Sequence, residues 1–139
     1  VKEFKIGTLT VYFKIMKNWK PFIKYNDKFL DNISWFFKVG GISLFPIVIL
    51  RERYKTVELN RGLQRMITHE TIHFQQQLEM LVIPFYVIYI LEYVIKALYY
   101  FNIEKAYRNI SFEREAYQYE LDKNYLEKRK RYNWIKLIF

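Results

Sequence analysis

Hydrophobic residues recur at helical spacing in the stretch 61–83. Along it the apolar positions are Leu63, Met66, Ile67, Phe74, Leu78 and Leu81. This spacing is typical of an amphipathic helix. Asn60 is a candidate N-cap, and Pro84 is expected to kink or end the helix. The pattern therefore predicts one long helix, and both histidines of the chain lie within it.

The stretch 85–101 is almost continuously apolar and predicts a second helix. Glu92 and Lys96 interrupt it and stand four positions apart, so they can pair on one helix face. Because of these charges, a buried core helix is favoured over a transmembrane span. An interfacial helix lying on a membrane is the second choice.

A strand and a third helix complete the predicted elements. Two glycines precede the apolar, β-branched stretch 42–50, which is typical of a strand. Pro46 cannot donate a hydrogen bond to a neighbouring strand, so an edge position is expected. A third helix is predicted from residue 109 or 111 to about residue 129, since Ser111 precedes a first turn rich in glutamate.

These elements predict a single α+β domain over residues 1–139 that is mainly α. It would contain an edge strand, a histidine-bearing helix, an apolar second helix and a third helix that bears glutamate. Residues 1–38 form a basic, aromatic N-terminal segment, and the core is expected within residues 42–129.

Composition and charge narrow the classes of function. Hydrophobic residues make up 52% of the chain and aromatic residues 20%, with 4 Gly and 3 Pro, which argues against disorder and against a turn-rich all-β fold. The absence of cysteine excludes disulfides, thiolate metal sites and a cysteine nucleophile. The net charge of +9 favours anionic partners, namely phospholipid headgroups, nucleic acid or acidic protein, without choosing among them.

Basic and aromatic residues are mixed at both ends of the chain. Residues 1–38 carry eight lysines, and a basic cluster at 128–131 precedes an aromatic tail. The N-terminal mixture could form an interfacial or partner-facing surface, but the favoured interpretation is that its aromatics cover the core while the lysines stay in water. The tail could bind a membrane surface or, less expected, nucleic acid, but solvated charge is the favoured interpretation. No apolar run leads from Val1 to a small-residue cleavage site, so no signal peptide is expected, and the predicted location is cytoplasmic or peripheral to a membrane.

The segment His69-Glu70-Thr71-Ile72-His73 carries the strongest chemical signal. Residues four apart share a helix face, so the two imidazoles can hold one zinc ion. Glu70 is then placed to act as general base toward an attacking water molecule. The competing interpretation is a histidine pair that only makes hydrogen bonds on a structural helix.

A zinc site of this kind needs a third protein ligand. The chain has no other histidine and no cysteine, so this ligand must be a carboxylate. Glu113 and Glu115 are the candidates, and only one can face the metal because they are about 200° apart on a helix. Other classes of enzyme fit less well. A serine triad would need a histidine free of metal, and the sequence has no glycine-rich phosphate loop. A glycosidase with paired carboxylates would leave the histidine spacing unexplained.

These motifs resemble those of gluzincin metallopeptidases, which include the CAAX-processing and heat-shock membrane proteases. In that family a His-Glu-x-x-His helix is joined by a later Glu-x-x-Ala-Asp motif, and the sequence from Glu113 to Ala116 is similar to the latter. The resemblance implies zinc held by His69, His73 and Glu113, with Glu70 as general base. Two positions depart from the pattern: Tyr117 replaces the aspartate that orients a ligand histidine, and Ile72 replaces a common glycine.

The chain also resembles the metallopeptidase-like core domain of contractile injection systems, whose helix reads His-Glu-x-x-His-x-x-Gln-Gln. The matching positions are His69, Glu70, His73, Gln76 and Gln77. Residues 42–129 are similar, more broadly, to small proteins of Bacteroidota and of their phages. The resemblance to gluzincins implies that the strand 42–50 holds extended peptide beside the metal by backbone pairing.

Several further side chains are candidates for supporting roles. Gln76 and Gln77 could line the cleft or cap buried polar groups, and Glu115 could support a ligand. Tyr107, Tyr117 and Tyr119 are unranked candidates for stabilising an oxyanion. Arg108 and Arg114 could also do so, although a salt bridge is expected for each.

Two functions follow as hypotheses. The first is a zinc-dependent metallopeptidase that hydrolyses a peptide or protein substrate. The alternative is a non-catalytic binding or structural protein, stabilised by zinc, that acts at a membrane surface or within a larger assembly such as a phage particle.

Overall fold

The computed structural model describes residues 17–34, 39–55 and 61–139. The strands are β1 (Phe22–Tyr25), β2 (Gly41–Leu44) and β3 (Ile47–Leu50). The helices are α1 (Asp27–Ile33), α2 (Arg61–Glu79), α3 (Ile83–Tyr100), α4 (Ile103–Arg108), α5 (Ser111–Tyr119) and α6 (Tyr125–Lys128). Two 3-10 turns, Glu52–Tyr54 and Asn133–Leu137, accompany them. The predicted α+β fold, mainly α, is confirmed.

The three strands form one sheet in the order β1-β3-β2, with β1 parallel and β2 antiparallel to β3. The prediction of one strand over 42–50 is wrong, because Phe45 and Pro46 form a turn that divides the stretch into a hairpin. Pro46 lies in that turn, where its missing N–H breaks no ladder bond. The predicted edge position applies to β2, whereas β3 is the central strand.

Helix α2 ends at Glu79, before the predicted end near residue 83. Leu81 and Val82 have φ angles of 59° and 65°, which a right-handed helix cannot accommodate. Pro84 lies in the first turn of α3, where a backbone N–H has no partner within the helix. Two helices are present as predicted, but the prediction that Pro84 kinks or ends the first one is wrong, because α2 ends at Glu79 and Pro84 lies inside α3. The candidate cap Asn60 lies outside the described residues.

The prediction that the apolar second helix is buried in the core is wrong. Phe85 is the buried residue of α3, and most other apolar side chains of this helix are exposed. By length and composition, α3 is the one helix in the described ranges that could cross a membrane. The expected pair of Glu92 and Lys96 is present, with 2.6 Å between Lys96 Nζ and Glu92 Oε1.

The third helix is shorter than predicted. Helix α5 ends at Tyr119, and α6 follows after a turn in which the Asn124 N–H donates to Asp122 Oδ1 at 3.0 Å. Such local bonds of aspartate compete with helix continuation. The start of α5 is fixed from α3, because Glu92 accepts hydrogen bonds from Ser111 N at 2.8 Å and Ser111 Oγ at 2.6 Å. Helix α4 was not predicted.

The two basic, aromatic regions are partly built into the fold. Strand β1 pairs with β3, and Trp19 packs edge-on against Phe45, with ring centroids 5.3 Å apart. Residues 1–16 and 35–38 of the N-terminal segment lie outside the described residues. In the tail, solvated charge is the wrong interpretation for Arg129, which is buried against Glu79 and Glu115.

Candidate metal centre

Helices α2 and α5 bring His69, His73 and Glu113 together. The Nε2 atoms of the two histidines are 3.2 Å apart. Glu113 Oε2 lies 3.3 Å from His69 Nε2, and Glu113 Oε1 lies 3.2 Å from His73 Nε2. All three side chains are buried. Each offers one ligand atom within 4.8 Å of the other two, which is close enough for all three to bind one metal ion.

Glu113 faces this centre, and Glu115 points to the opposite side of α5. Glu115 accepts hydrogen bonds from Gln76 Nε2 at 2.9 Å and from Arg129 Nε at 2.6 Å. Oε1 of Glu113 accepts a hydrogen bond from the Tyr89 hydroxyl at 2.7 Å, whereas its buried Oε2 has no hydrogen-bond partner among the described residues. A buried carboxylate oxygen without such a partner is costly, so its position suits the ligand of a cation.

The outer nitrogen of each histidine is held by an acceptor. His69 Nδ1 lies 2.8 Å from Glu120 Oε2, and His73 Nδ1 lies 2.8 Å from Gln76 Oε1. The Gln76 amide is oriented by its Nε2 donation to Glu115. In the neutral imidazoles these acceptors place the hydrogen on Nδ1, which leaves each Nε2 able to offer its lone pair to a metal ion.

Glu120 orients the His69 ring. The resemblance assigned that role to an aspartate at position 117, where this chain has a tyrosine. The Glu120 carboxylate is fixed from the other side by Arg65, with 2.7 Å between Arg65 Nε and Glu120 Oε1. The Tyr117 ring instead packs against His69, with centroids 4.8 Å apart. Sequence reasoning missed Glu120, although its position seven residues after Glu113, two helical turns on, placed it on the same helix face.

The electrostatics of the site favour positive charge between the carboxylates. Burial alone would lower the pKa of His69, but the adjoining Glu113 and Glu120 carboxylates outweigh it and raise this pKa to about 10. Burial alone would also lower the pKa of His73, but the negative charge of Glu113 outweighs burial, so this pKa is raised. Burial would raise the pKa of Glu113, but the imidazoles hold it well below its usual range. Burial raises the pKa of Glu70 despite both histidines.

The other candidate side chains differ in their distance from the centre and in their contacts. Tyr107 is close to Glu113, and burial followed by that negative charge raises the pKa of Tyr107 well above its usual value. Tyr119 stacks on Tyr125 with centroids 3.9 Å apart, so it belongs to the packing between α5 and α6. Gln77 caps the hairpin, donating to the Ser43 carbonyl at 2.8 Å and accepting from the backbone N–H of Phe45 at 3.0 Å.

Arg108 and Arg114 make different contacts. The expected salt bridge of Arg108 is present, with 3.3 Å between its Nε and Glu104 Oε1. Arg114 instead donates to the Leu137 carbonyl oxygen at 2.6 Å, which ties α5 to the tail.

A cavity of about 390 Å³ adjoins the centre. Its polar wall includes Glu70, His73 and Glu113, and the rest is mainly apolar and aromatic, formed by β2 and the inner face of α3. A smaller cavity of about 110 Å³ is lined by His69, Glu70 and Glu120. Glu70 and Tyr107 line both cavities. The metal centre is therefore positioned beside a space that can admit a ligand.

Comparison with known proteins finds no matching family model, no matching curated protein and no matching solved structure.

Proposed function

We propose that this protein is a gluzincin-type zinc metallopeptidase, with His69, His73 and Glu113 as zinc ligands. The observation that carries the proposal is the closeness of the three side chains. The two Nε2 atoms are 3.2 Å apart, one Glu113 oxygen lies 3.3 Å from His69 Nε2, and the other lies 3.2 Å from His73 Nε2. One ligand atom from each residue lies within 4.8 Å of the other two. Atoms bound tetrahedrally at about 2.0–2.1 Å from zinc stand roughly 3.3 Å apart. Two imidazoles and one carboxylate are a donor set of catalytic zinc sites, in which a fourth position stays open.

Glu70 is the proposed general base. It follows the first ligand on α2, is buried, and lines both cavities. When bound, zinc supplies a Lewis acid that polarises a peptide carbonyl and makes a water molecule acidic near neutral pH. The Glu70 carboxylate accepts the proton of that water as it attacks and returns it to the leaving amine. Tyr107 lines both cavities next to Glu113, so it is favoured over Tyr119 as the hydroxyl that stabilises the oxyanion.

The proposed substrate is an extended peptide with a large apolar side chain near the cleaved bond. Within the described residues β2 is an edge of the sheet, so its outer side is available for backbone pairing. Ile42 and Leu44 of β2 line the larger cavity, opposite Tyr86 and Tyr93 of α3. An apolar side chain entering this cavity would be removed from water on several sides.

Elemental analysis combined with a peptide-cleavage assay tests the proposal. Wild-type protein should contain one zinc per chain and cleave peptides that carry leucine or phenylalanine. Glu70→Gln should keep the zinc and lose activity, while Glu104→Gln, at an exposed surface pair, should keep both. Iron in place of zinc, or full activity of Glu70→Gln, would contradict the mechanism. Stoichiometric zinc without cleavage of any peptide in a broad library would favour the zinc-stabilised binding or structural protein.

A further inference from the structure

Helix α3 presents an apolar surface to solvent. One face of the helix consists of exposed aliphatic side chains, here called the α3 surface: Val87, Ile90, Leu91, Val94, Ile95 and Leu98. These positions recur at helical spacing, so their side chains share one face and form a patch rather than scattered exposed residues.

The two charged residues of α3 point away from this surface and toward the protein. The side chains of Glu92 and Lys96 are only 12% and 14% exposed, and they pair with each other. Lys96 also donates to the carbonyl oxygens of Asn109 and Ile138, while Glu92 accepts from Ser111. The charges that interrupt the apolar stretch in the sequence are thus neutralised on the inner face.

We propose that the α3 surface docks on an anionic phospholipid bilayer, with the helix lying in the plane of the membrane. Exposed basic side chains occur in the segments next to α3: Lys105 and Arg108 belong to α4, and Lys136 belongs to the tail, which contacts Lys96 through the Ile138 carbonyl. Lys105 lies over the Tyr100 ring at 4.5 Å, a pairing of cation and aromatic ring suited to the headgroup region. The net charge of +9 attracts the whole chain to anionic lipid.

Attachment to one leaflet fits the packing of α3 better than a transmembrane span. The rings of Phe85 and Tyr89 pack on Phe112, with centroids 4.8 and 6.0 Å apart. Surrounding α3 with lipid would remove these contacts and expose the Glu92–Lys96 pair to hydrocarbon, which is costly. A second copy of this chain is a weaker candidate partner, because two chains of net charge +9 repel each other.

Vesicle flotation of the full chain tests the proposal. The wild type is expected to float with vesicles of phosphatidylcholine mixed with phosphatidylglycerol, and much less with phosphatidylcholine alone. The double variant Ile90→Glu/Ile95→Glu should bind the mixed vesicles at least about tenfold more weakly, since it places charge where acyl chains would contact the helix. Leu121→Glu, at a position 74% exposed in the turn after α5, is the matched control and should bind like the wild type.

A site-specific probe identifies which residue enters the lipid. The chain has no cysteine, so Leu98→Cys and Leu121→Cys can each carry one environment-sensitive fluorophore. Mixed vesicles should shift the emission to the blue at position 98 and leave it unchanged at position 121. Equal responses at the two positions, or wild-type protein that remains unbound with both lipid compositions, would overturn the proposal.

Two further measurements separate this proposal from others. A wild-type dimer that the double glutamate variant converts to a monomer, with no vesicle binding by either, would assign the α3 surface to a second copy and overturn membrane docking. Glu70→Gln should float like the wild type, because docking requires no turnover. Loss of peptidase activity and loss of membrane binding are therefore distinguishable outcomes.

Discussion

His69 Nδ1 and Glu120 Oε2 lie 2.8 Å apart, although the two residues are separated by 51 positions in the chain. Glu120 directly follows α5 and keeps helical backbone angles, so it lies on the same helix face as Glu113 and is directed at α2. It fixes the tautomer and the ring orientation of a candidate ligand, which is the role of the outer partners in metal sites.

Replacing Glu120 should weaken zinc binding. Glu120→Ala removes the acceptor of His69 Nδ1 and is expected to lower zinc affinity by about 10–100-fold. Glu120→Gln keeps an acceptor oxygen and should lose less. Competition with a chromophoric chelator measures the affinity, and Glu127→Ala, at an exposed carboxylate nearby, is the control. Equal affinity in wild type and Glu120→Ala would show that this contact does not support the metal.

The helical pattern located α2 and its histidines correctly, since a strong 3.6-residue period survives tertiary context. The proximity of Glu113 to them could be expected only from the resemblance, because Glu115 fits a helix start equally well. What separates the two glutamates is the packing of α5: one faces the histidines and the other faces Arg129. That packing depends on residues distant in sequence.

The wrong predictions for α3 and Arg129 share one physical cause. Exposure of α3 could not be derived from its apolar pattern, because a helix that is hydrophobic all round is usually buried. The burial of Arg129 depends on Glu79, which lies 50 positions earlier. A local pattern reports which residues share a face, whereas these outcomes depend on what covers that face.

Breaking the buried ion cluster should destabilise the fold. Arg129 pairs with Glu79 and Glu115, and its side chain is only 3% exposed. Arg129→Met leaves two buried carboxylates without their cation, which is expected to cost about 3–5 kcal/mol of unfolding free energy. Lys128→Met removes an exposed pair with Asp122, which water and salt screen, and should cost far less. Urea unfolding of both variants measures the difference, and similar losses would contradict a structural role for the cluster.

A side chain at Gly41 should disturb the proposed base. A Cβ atom there would stand 2.6 Å from Leu50 Cδ2, which must shift. It would also stand 3.2 Å from both Glu70 Oε1 and the Ile49 carbonyl oxygen, so the Glu70 carboxylate must move slightly. Gly41→Ala is expected to lower kcat by up to about a hundredfold with zinc content unchanged, because small displacements of catalytic groups are costly. Gly40→Ala would meet the flexible end of Met66 and serves as the control. A wild-type kcat in Gly41→Ala would show that this contact does not hold Glu70 in its position.

Zinc should stabilise the folded chain, since its ligands come from two helices that meet only in the native structure. At a free zinc concentration about 100 times the dissociation constant, the gain is about 2.7 kcal/mol. For a domain of this size the melting temperature should then rise on the order of 10 °C. Glu113→Gln should reduce the rise because the amide provides a weaker, uncharged ligand. Magnesium prefers six oxygen ligands and should have little effect. Thermal unfolding after chelation and stepwise addition of each metal measures the shifts, and an equal rise with magnesium would exclude a site selective for zinc.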